Sequence, residues 1–344
     1  MATESAHSPI PLAYATPSLG MHPSHTLPRK LSAIASAGYA GIELGMDDLL
    51  SFAQQYLHNA ELTATSWPSL LLAAKKIRLL CAPHALNLTI LTLQPLARFE
   101  GYTGAQRAAQ RARVQRWAEI MDALGCGMLQ VGSNDDAAAS GDPADIARDL
   151  AGLADAVAPR RVAYENRCEA RHVRCWRQAW DVVRRANRAN LGLCLDTFQI
   201  AGSEWTDPGA PGDGGDDGDG EEEGSRRRRR WMASLRALET LPKDKIFLLQ
   251  VSDALRPPEP ASSEQWSHSL RPPPGMGGCL PVADTVAAVL ATGYRGWLSV
   301  EVFLADEHGK EWREGLGEQW AADGMRGLRA VLEECGIGEA EVVR

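Results

Sequence analysis

LGLCLDT (191–197) is an apolar run that closes on a carboxylate, Asp196. A short apolar run of this kind is consistent with a strand that is buried in a parallel sheet. A carboxylate that is buried alone is costly, so it must be paired, hydrogen-bonded or bound to a metal. Three other runs have the same form and close on Glu165, Gln250 and Glu301: VAYEN (162–166), IFLLQVSD (246–253) and WLSVEVF (297–303).

Four earlier apolar runs bring the number of predicted strands to eight: LAYATP (12–17), GIEL (41–44), LNLTILTLQ (86–94) and GMLQVG (127–132). Eight strands with helical connections predict an α/β protein with a (β/α)8 TIM-barrel fold. Catalytic groups in such barrels lie at the C-terminal ends of the strands, which is where the four polar residues fall. A doubly wound sheet is the structural alternative, but it rarely carries functional groups on so many consecutive strands.

The segments between the runs have helical spacing. Residues 27–38 have a Leu/Ile/Ala pattern that ends at Gly38, which is typical of a helix C-cap. Residues 172–186 predict an amphipathic helix that begins at His172. Its apolar face consists of Val173, Trp176, Trp180 and Val183.

One segment departs from the barrel pattern. Residues 207–230 read DPGAPGDGGDDGDGEEEGSRRRRR, which is rich in Gly and Asp and then in Arg. Such a composition cannot bury a core, so we predict a disordered, low-complexity surface insertion in one TIM-barrel domain that spans residues 1–344. The acidic block directly before the arginines favours a self-neutralising loop over a nucleic-acid contact.

Composition narrows the class of protein. The 344 residues carry a net charge of −8, which gives no reason to expect nucleic acid or an anionic membrane as a partner. The sequence has no signal-like start and no apolar stretch near the roughly 20 residues that span a bilayer. Seven scattered cysteines indicate free thiols in a reducing compartment. We therefore expect a cytoplasmic enzyme that acts on a small molecule, and a homo-oligomer is compatible with the sequence.

The four strand ends supply three carboxylates and one amide oxygen. This set suits a divalent metal cation such as Mg²⁺, Mn²⁺ or Co²⁺, and leaves positions for substrate oxygens. A cation there would polarise a ketone, so the residues indicate proton abstraction beside a carbonyl, leading to isomerisation, epimerisation or β-elimination. The competing interpretation is that each polar residue only caps its strand or joins a structural ion-pair network.

Several stretches also resemble a known family, the xylose-isomerase-like barrels of the sugar phosphate isomerase and epimerase superfamily. Within it, the chain is most similar to the 3-dehydroshikimate dehydratases of quinate and shikimate catabolism. The likeness covers residues from about 12 to 310. It rests on GIEL (41–44), LQPLARFEG (93–101), YEN (164–166) with RHV (171–173), QAWDVVRRANRANLGLCLDTFQIAG (178–202), LLQVSDA (248–254), WSHSLRPPPGMG (266–277) and VEVF (300–303).

The resemblance implies a metal-dependent lyase that converts 3-dehydroshikimate into protocatechuate. In that reaction the C4 proton is removed, an enediolate expels the C5 hydroxyl, and loss of a C6 proton completes the aromatic ring. The loop residues Ser267 and Arg271 match positions that contact the substrate, and an arginine fork is the natural partner of a carboxylate. The metal ligands of the family correspond to Glu165, Asp196, Gln250 and Glu301.

Two departures from the family pattern affect the choice of base. Bacterial members have a histidine three residues after the metal-binding aspartate, where this chain has Gln199. His172 and His268 are the available substitutes, and a metal-bound hydroxide is a third. Gln199 and Gln94 then count as substrate-binding positions. The second departure is Ala97, where the family often has a bulkier polar residue.

Three alternatives remain open from the sequence. A sugar or inositol isomerase, epimerase or dehydratase would share the metal ligands, but a neutral sugar does not explain Arg271. An endonuclease-IV-like enzyme would need several zinc ions and many histidines, whereas this acidic chain has eight. A non-catalytic barrel that keeps the metal site is favoured only by Gln199.

Overall fold

The structure, a computed structural model, describes residues 9–20, 22, 24–205, 221–257, 260–305 and 315–343. Its strands are β1 (Leu12–Ala15), β2 (Gly41–Gly45), β3 (Thr89–Gln94), β4 (Met128–Gly132), β5 (Arg161–Glu165), β6 (Leu191–Asp196), β7 (Ile246–Val251), β8 (Leu270–Arg271), β9 (Leu298–Val300) and β10 (Phe303–Leu304). Its helices are α1 (Leu27–Ser36), α2 (Met46–Tyr56), α3 (Trp67–Leu80), α4 (Gly104–Leu124), α5 (Pro143–Val157), α6 (Trp176–Ala186), α7 (Thr197–Glu204), α8 (Glu221–Leu238), α9 (Ser263–Ser269), α10 (Val282–Ala291) and α11 (Leu316–Glu334).

Eight parallel strands close into a barrel in the order β1-β2-β3-β4-β5-β6-β7-β9. This confirms the predicted (β/α)8 TIM-barrel fold, and each predicted run overlaps one barrel strand to within a residue or contains it. The remaining strands, β8 and β10, form a separate antiparallel ribbon in which Phe303 lies opposite Arg271. Because β10 begins two residues after Glu301, the ribbon lies at the C-terminal end of β9.

Alternation along each strand decides which side chains face the barrel axis. On β6, Leu193 and Leu195 pack in the large outer core against the helices. Cys194 instead belongs to the small cluster inside the barrel, together with Ala163 of β5 and Leu248 of β7. Two residues beyond each of these inner positions stand the predicted site residues, which therefore also point toward the axis: Glu165, Asp196 and Gln250.

Helix α6 begins at Trp176, so the prediction of a helix from His172 is wrong by about one turn. The side chain of Gln178 accepts hydrogen bonds from the backbone N–H groups of Arg174 and Cys175 at 2.8 and 3.1 Å. These bonds cap the helix at Cys175, because they satisfy N–H groups that have no partner within the helix. His172 thus lies in the loop between β5 and α6.

The predicted loop 207–230 overlaps the start of α8. Residues 207–220 of that prediction lie outside the described residues. Residues 221–230 are helical, so a loop is the wrong prediction for this part. Trp231, Leu235 and Leu238 follow at helical spacing and are buried. Packing of that face explains why a helix forms here and continues back through the arginines.

Two further features agree with the sequence analysis. All seven cysteines are free thiols, and four of them are buried. No helix within the described ranges combines the length and the apolar character that crossing a membrane requires.

Candidate metal and active site

Three carboxylates meet at the C-terminal end of the barrel. Glu165 ends β5, Asp196 ends β6 and Glu301 follows β9, and one oxygen of each lies within 4.8 Å of the others. All three residues are at most 5% exposed. The inward register of the strands brings them together, as the sequence predicts. We call these three residues the acidic trio.

Gln250, the fourth predicted ligand, lies beside the acidic trio but presents its nitrogen to it. Its Nε2 donates to Glu301 Oε1 and to Glu43 Oε2, both at 3.0 Å. Its Oε1 accepts from the thiol of Cys194 at 3.2 Å. Metal ligation through the amide oxygen therefore requires the amide to turn over, and Gln250 as a ligand stays a prediction.

Arg271 supplies the positive charge that faces the acidic trio. Its Nη2 lies 2.7 Å from Asp196 Oδ2 and 2.6 Å from Glu301 Oε2, and it also donates to Ser252 Oγ. The guanidinium lies over the ring of Phe198 at 4.5 Å from the centroid, and Phe303 is on the other strand of its ribbon. Arg271 is 1% exposed. In this structure it therefore binds carboxylates of the protein, and its predicted contact with a substrate carboxylate stays a prediction.

Burial and mutual repulsion act on the carboxylates. Burial raises the pKa of Glu301 to about 7, with Arg271 opposing the rise and Asp196 adding to it. Burial, Glu301 and Asp196 raise the pKa of Glu165 well above its usual range. Burial and the charge of Glu301 raise the pKa of Glu43 to about 8. The fold thus holds these carboxylates together against their mutual repulsion. A bound cation would reduce that repulsion.

These pKa shifts predict that the metal-free protein loses stability as pH rises. A carboxyl group with a raised pKa in the folded state holds a proton that the unfolded chain releases near pH 4.5, so the free energy of unfolding falls above that pH. For Glu301 and Glu43 the fall should end near pH 7 and pH 8. Thermal unfolding in EDTA from pH 5 to 8 measures it. The variant E43Q should flatten part of the slope, and an unchanged slope in E43Q would contradict the assignment.

Other buried polar residues surround the acidic trio. Glu43 of β2 accepts from Gln250 and also from Gln94 Nε2 at 3.2 Å. Gln130 of β4 donates to Glu165 Oε2 at 2.5 Å. The sequence analysis did not assign a role to Gln130 or to Ser252. The signal for Gln130 is its register, since it lies two residues after Met128, which packs inside the barrel.

The predicted substrate-binding residues differ in their surroundings. Gln94 is buried and hydrogen-bonded to Glu43, which places it at the base of the site. Gln199 accepts from the backbone N–H of Cys168 at 2.8 Å, so its amide oxygen fixes the loop after β5. Ser267 is buried on α9, three residues before the ribbon strand that carries Arg271.

The two candidate bases lie in different environments. His172 places Nε2 at 3.1 Å from the carbonyl oxygen of Ala139, and its ring packs against Gly141 in the loop after β4. His268 is an exposed residue of α9, and its ring packs edge-on against the ring of Phe303. Burial lowers the pKa of His268, with the charge of Arg271 among the causes. The charge of Arg271 thus acts on His268, and the fall in its pKa favours the neutral ring at pH 7.

The chemistry of the donor set fits a hard divalent cation. The acidic trio offers only oxygen atoms, which Mg²⁺, Mn²⁺ and Ca²⁺ prefer. Glu165 Oε1 and Glu43 Oε1 are buried and accept no hydrogen bond from any residue that the structure describes. Because a buried carboxylate oxygen without a partner is costly, these atoms indicate a cluster that is completed by a bound cation.

Comparison with known proteins agrees with the fold. The model of a family described as xylose isomerase-like TIM barrel matches residues 31–330. A 3-dehydroshikimate dehydratase from Neurospora crassa is 32% identical, with 91% of this chain and 92% of the relative covered. A 3-dehydroshikimate dehydratase from Pseudomonas aeruginosa is 36% identical over 90% of this chain but 40% of the relative. The chain therefore spans about two fifths of the bacterial relative.

Solved structures give the same picture of the fold. A xylose isomerase-like TIM barrel/4-hydroxyphenylpyruvate dioxygenase fusion protein superposes with a TM-score of 0.71 at 29% identity, and the match covers 98% of this chain and 45% of that one. An IolI protein solved with a zinc atom gives a TM-score of 0.64 at 17% identity, covering 95% and 98% of the two chains. The second likeness shows the fold alone.

Proposed function

The chain belongs to the xylose isomerase-like TIM barrel family, and we propose that it dehydrates 3-dehydroshikimate to protocatechuate. The observation that carries this proposal is its 32% identity to the Neurospora crassa dehydratase over more than nine tenths of both chains. The acidic trio and Arg271 support it, since both lie at the C-terminal end of the barrel, where catalytic groups of this fold reside.

The acidic trio would hold a divalent cation, and Gln250 would join it if its amide turned over. When bound, the cation would polarise the ketone of the substrate and acidify the proton beside it. The protein contributes an apolar wall, because the rings of Phe198, Trp266 and Phe303 pack on one side of this end of the barrel, beside Arg271. Phe198 and Trp266 contact each other at 5.0 Å between ring centroids, and Phe303 lies 5.1 Å from the guanidinium of Arg271.

Proton removal requires a base, and His268 is the better placed histidine. Its neutral ring can accept a proton at pH 7, because burial lowers its pKa and Arg167 and Arg271 lower it further. The side-chain contacts of His172 are with the loop after β4 rather than with the acidic trio. Gln199 cannot take this role, since an amide is not a base at neutral pH. We therefore assign proton removal to His268 and a structural role to His172.

We expect H268N to lower kcat by about 10² to 10⁴-fold, the usual contribution of a general base. H172N is the matched control and should keep kcat within about threefold of wild type, because the contacts of His172 are with the loop after β4 and asparagine can still hydrogen-bond there. Because the pKa of His268 is lowered, wild-type kcat/KM should stay on its plateau below pH 6.5 before it falls with acid. A larger loss in H172N than in H268N would reverse the assignment.

The proposed function is tested by mixing the purified protein with 3-dehydroshikimate and following protocatechuate by its absorbance. We expect product with Mg²⁺, Mn²⁺ or Co²⁺ and none after treatment with EDTA, with recovery when the cation is restored. Boiled protein and substrate alone provide the background rate. Absence of product with all three cations would disprove the proposed activity.

A further inference from the structure

Arg167 lies beside the C-terminal end of β4, close to Glu165 of the acidic trio. It follows Glu165 by two residues in the loop after β5. Its Cδ lies 2.9 Å from the point that a Cβ on Gly132 would occupy. Gly132 ends β4 and is the register partner of Glu165. The arginine side chain therefore passes over the end of β4, next to Glu165, and the absence of a side chain at Gly132 leaves the room for it.

The structure holds Arg167 in a fixed position. Its Nη2 and Nε lie 2.8 and 3.0 Å from Glu169 Oε1, and its backbone N–H donates to Ser133 Oγ at 2.9 Å. The Glu169 side chain is 7% exposed, so this ion pair is largely shielded from water. Such support keeps the guanidinium oriented before a ligand arrives, which lowers the entropy cost of binding.

One edge of the Arg167 guanidinium stays available. The carboxylate oxygen nearest to Nη1, on Asp135, is 3.7 Å away, which is beyond hydrogen-bond distance. The side chain is 18% exposed, whereas that of Arg271 is 2% exposed and already bound to two carboxylates. An anionic ligand can therefore reach Arg167 without breaking an existing short ion pair.

The stem of Arg167 lies on the inward face of β4. Its Cδ lies beside Gly132, which follows Gln130 by two residues and so faces the same side of the strand. Gln130 donates to Glu165 Oε2 at 2.5 Å, so this face borders the acidic trio. The charges of Arg271 and Arg167 both oppose the rise in the pKa of Glu165, of which burial is the largest cause. A ligand at the acidic trio would thus meet Arg271 on the trio and Arg167 beside the end of β4.

We infer that Arg167 is a specificity-determining residue that binds the carboxylate of the substrate through its free Nη1 edge. This inference rests on the proposed function, because 3-dehydroshikimate carries a carboxylate across its ring from the reacting ketone and hydroxyl. Those oxygens belong at the acidic trio, so the carboxylate points away from it. A guanidinium gives a charge-assisted hydrogen bond there that a neutral sugar could not use.

The test compares two ligands that differ only in the carboxylate, protocatechuate and catechol. Their dissociation constants are measured by calorimetry on the protein loaded with Mn²⁺. We expect R167M to raise the dissociation constant of protocatechuate by about 10 to 100-fold, which is the usual effect of losing a hydrogen bond to a charged group. The dissociation constant of catechol should change by less than about twofold, since catechol lacks the carboxylate. The KM for 3-dehydroshikimate should rise more than kcat falls, and R167K should recover part of the affinity.

R171Q is the matched control, because Arg171 is an exposed arginine of the same loop. It should leave both affinities and the KM unchanged. Two results would overturn the role of Arg167. One is that R167M weakens the binding of protocatechuate and catechol equally, and the other is that R271M, but not R167M, loses the preference for protocatechuate. In either case an active wild type would still uphold the proposed function. A wild type that forms no protocatechuate would overturn the proposed function, and the inference with it.

Discussion

E165Q is expected to reduce turnover of 3-dehydroshikimate by at least about 10³-fold, because it removes one of the three charges that would hold the proposed cation and stabilise the transition state. The barrel should stay folded. Burial, Glu301 and Asp196 already raise the pKa of Glu165, so the neutral amide relieves repulsion rather than creating it. The amide oxygen can also keep the hydrogen bond from Gln130. Turnover and thermal unfolding, with and without Mn²⁺, measure both effects.

E100Q is the matched control for E165Q. Glu100 is also buried, and burial raises its pKa to about 7. Its Oε1 accepts from the backbone N–H of Asn134 and from the hydroxyl of Tyr164, outside the acidic trio. E100Q should therefore keep turnover and the stabilisation by Mn²⁺, whereas E165Q should lose both. An E165Q variant that retains full activity would refute the metal site.

R271M is expected to destabilise the metal-free protein by about 3–5 kcal/mol, the usual cost of leaving buried charges without their partner. Arg271 is the cation on Asp196 and Glu301 in this structure. Its removal leaves three carboxylates within 4.8 Å of one another without that charge. Denaturant unfolding in EDTA at pH 8 measures the loss, which should shrink at pH 5, where protonation of the raised-pKa groups removes the repulsion.

Added cation separates a charge effect from a packing effect in R271M. Because Mn²⁺ supplies positive charge to the same oxygens, it should stabilise R271M more than wild type. R271K keeps the charge but loses the planar fork and the contacts with Phe198 and Phe303. Its free energy of unfolding should therefore lie between those of R271M and wild type. A stability loss in R271M that neither pH 5 nor Mn²⁺ reduces would show that Arg271 acts through packing alone.

Local sequence pattern was sufficient to predict the barrel. Each strand is a short apolar run, and alternation along the run decides which residues face the axis. The same alternation carries Glu165 and Asp196 inward, two residues beyond Ala163 and Cys194. Helix boundaries were harder to predict from the sequence pattern. The start of α6 depends on capping of Cys175 by Gln178, and α8 depends on tertiary burial of Trp231.

The sequence by itself determined the eight strands and the carboxylates at their ends, because apolar periodicity and the cost of burying charge are properties of neighbouring residues. Only the tertiary structure decided which atoms face one another. The amide of Gln250 turns its nitrogen to Glu43, a residue 207 positions away. Arg271 binds Asp196 across 75 positions, and it is His268 rather than His172 whose ring contacts the ribbon that carries Arg271. Contacts between such distant residues arise only when the barrel closes, since closure brings the C-terminal ends of all its strands to one place.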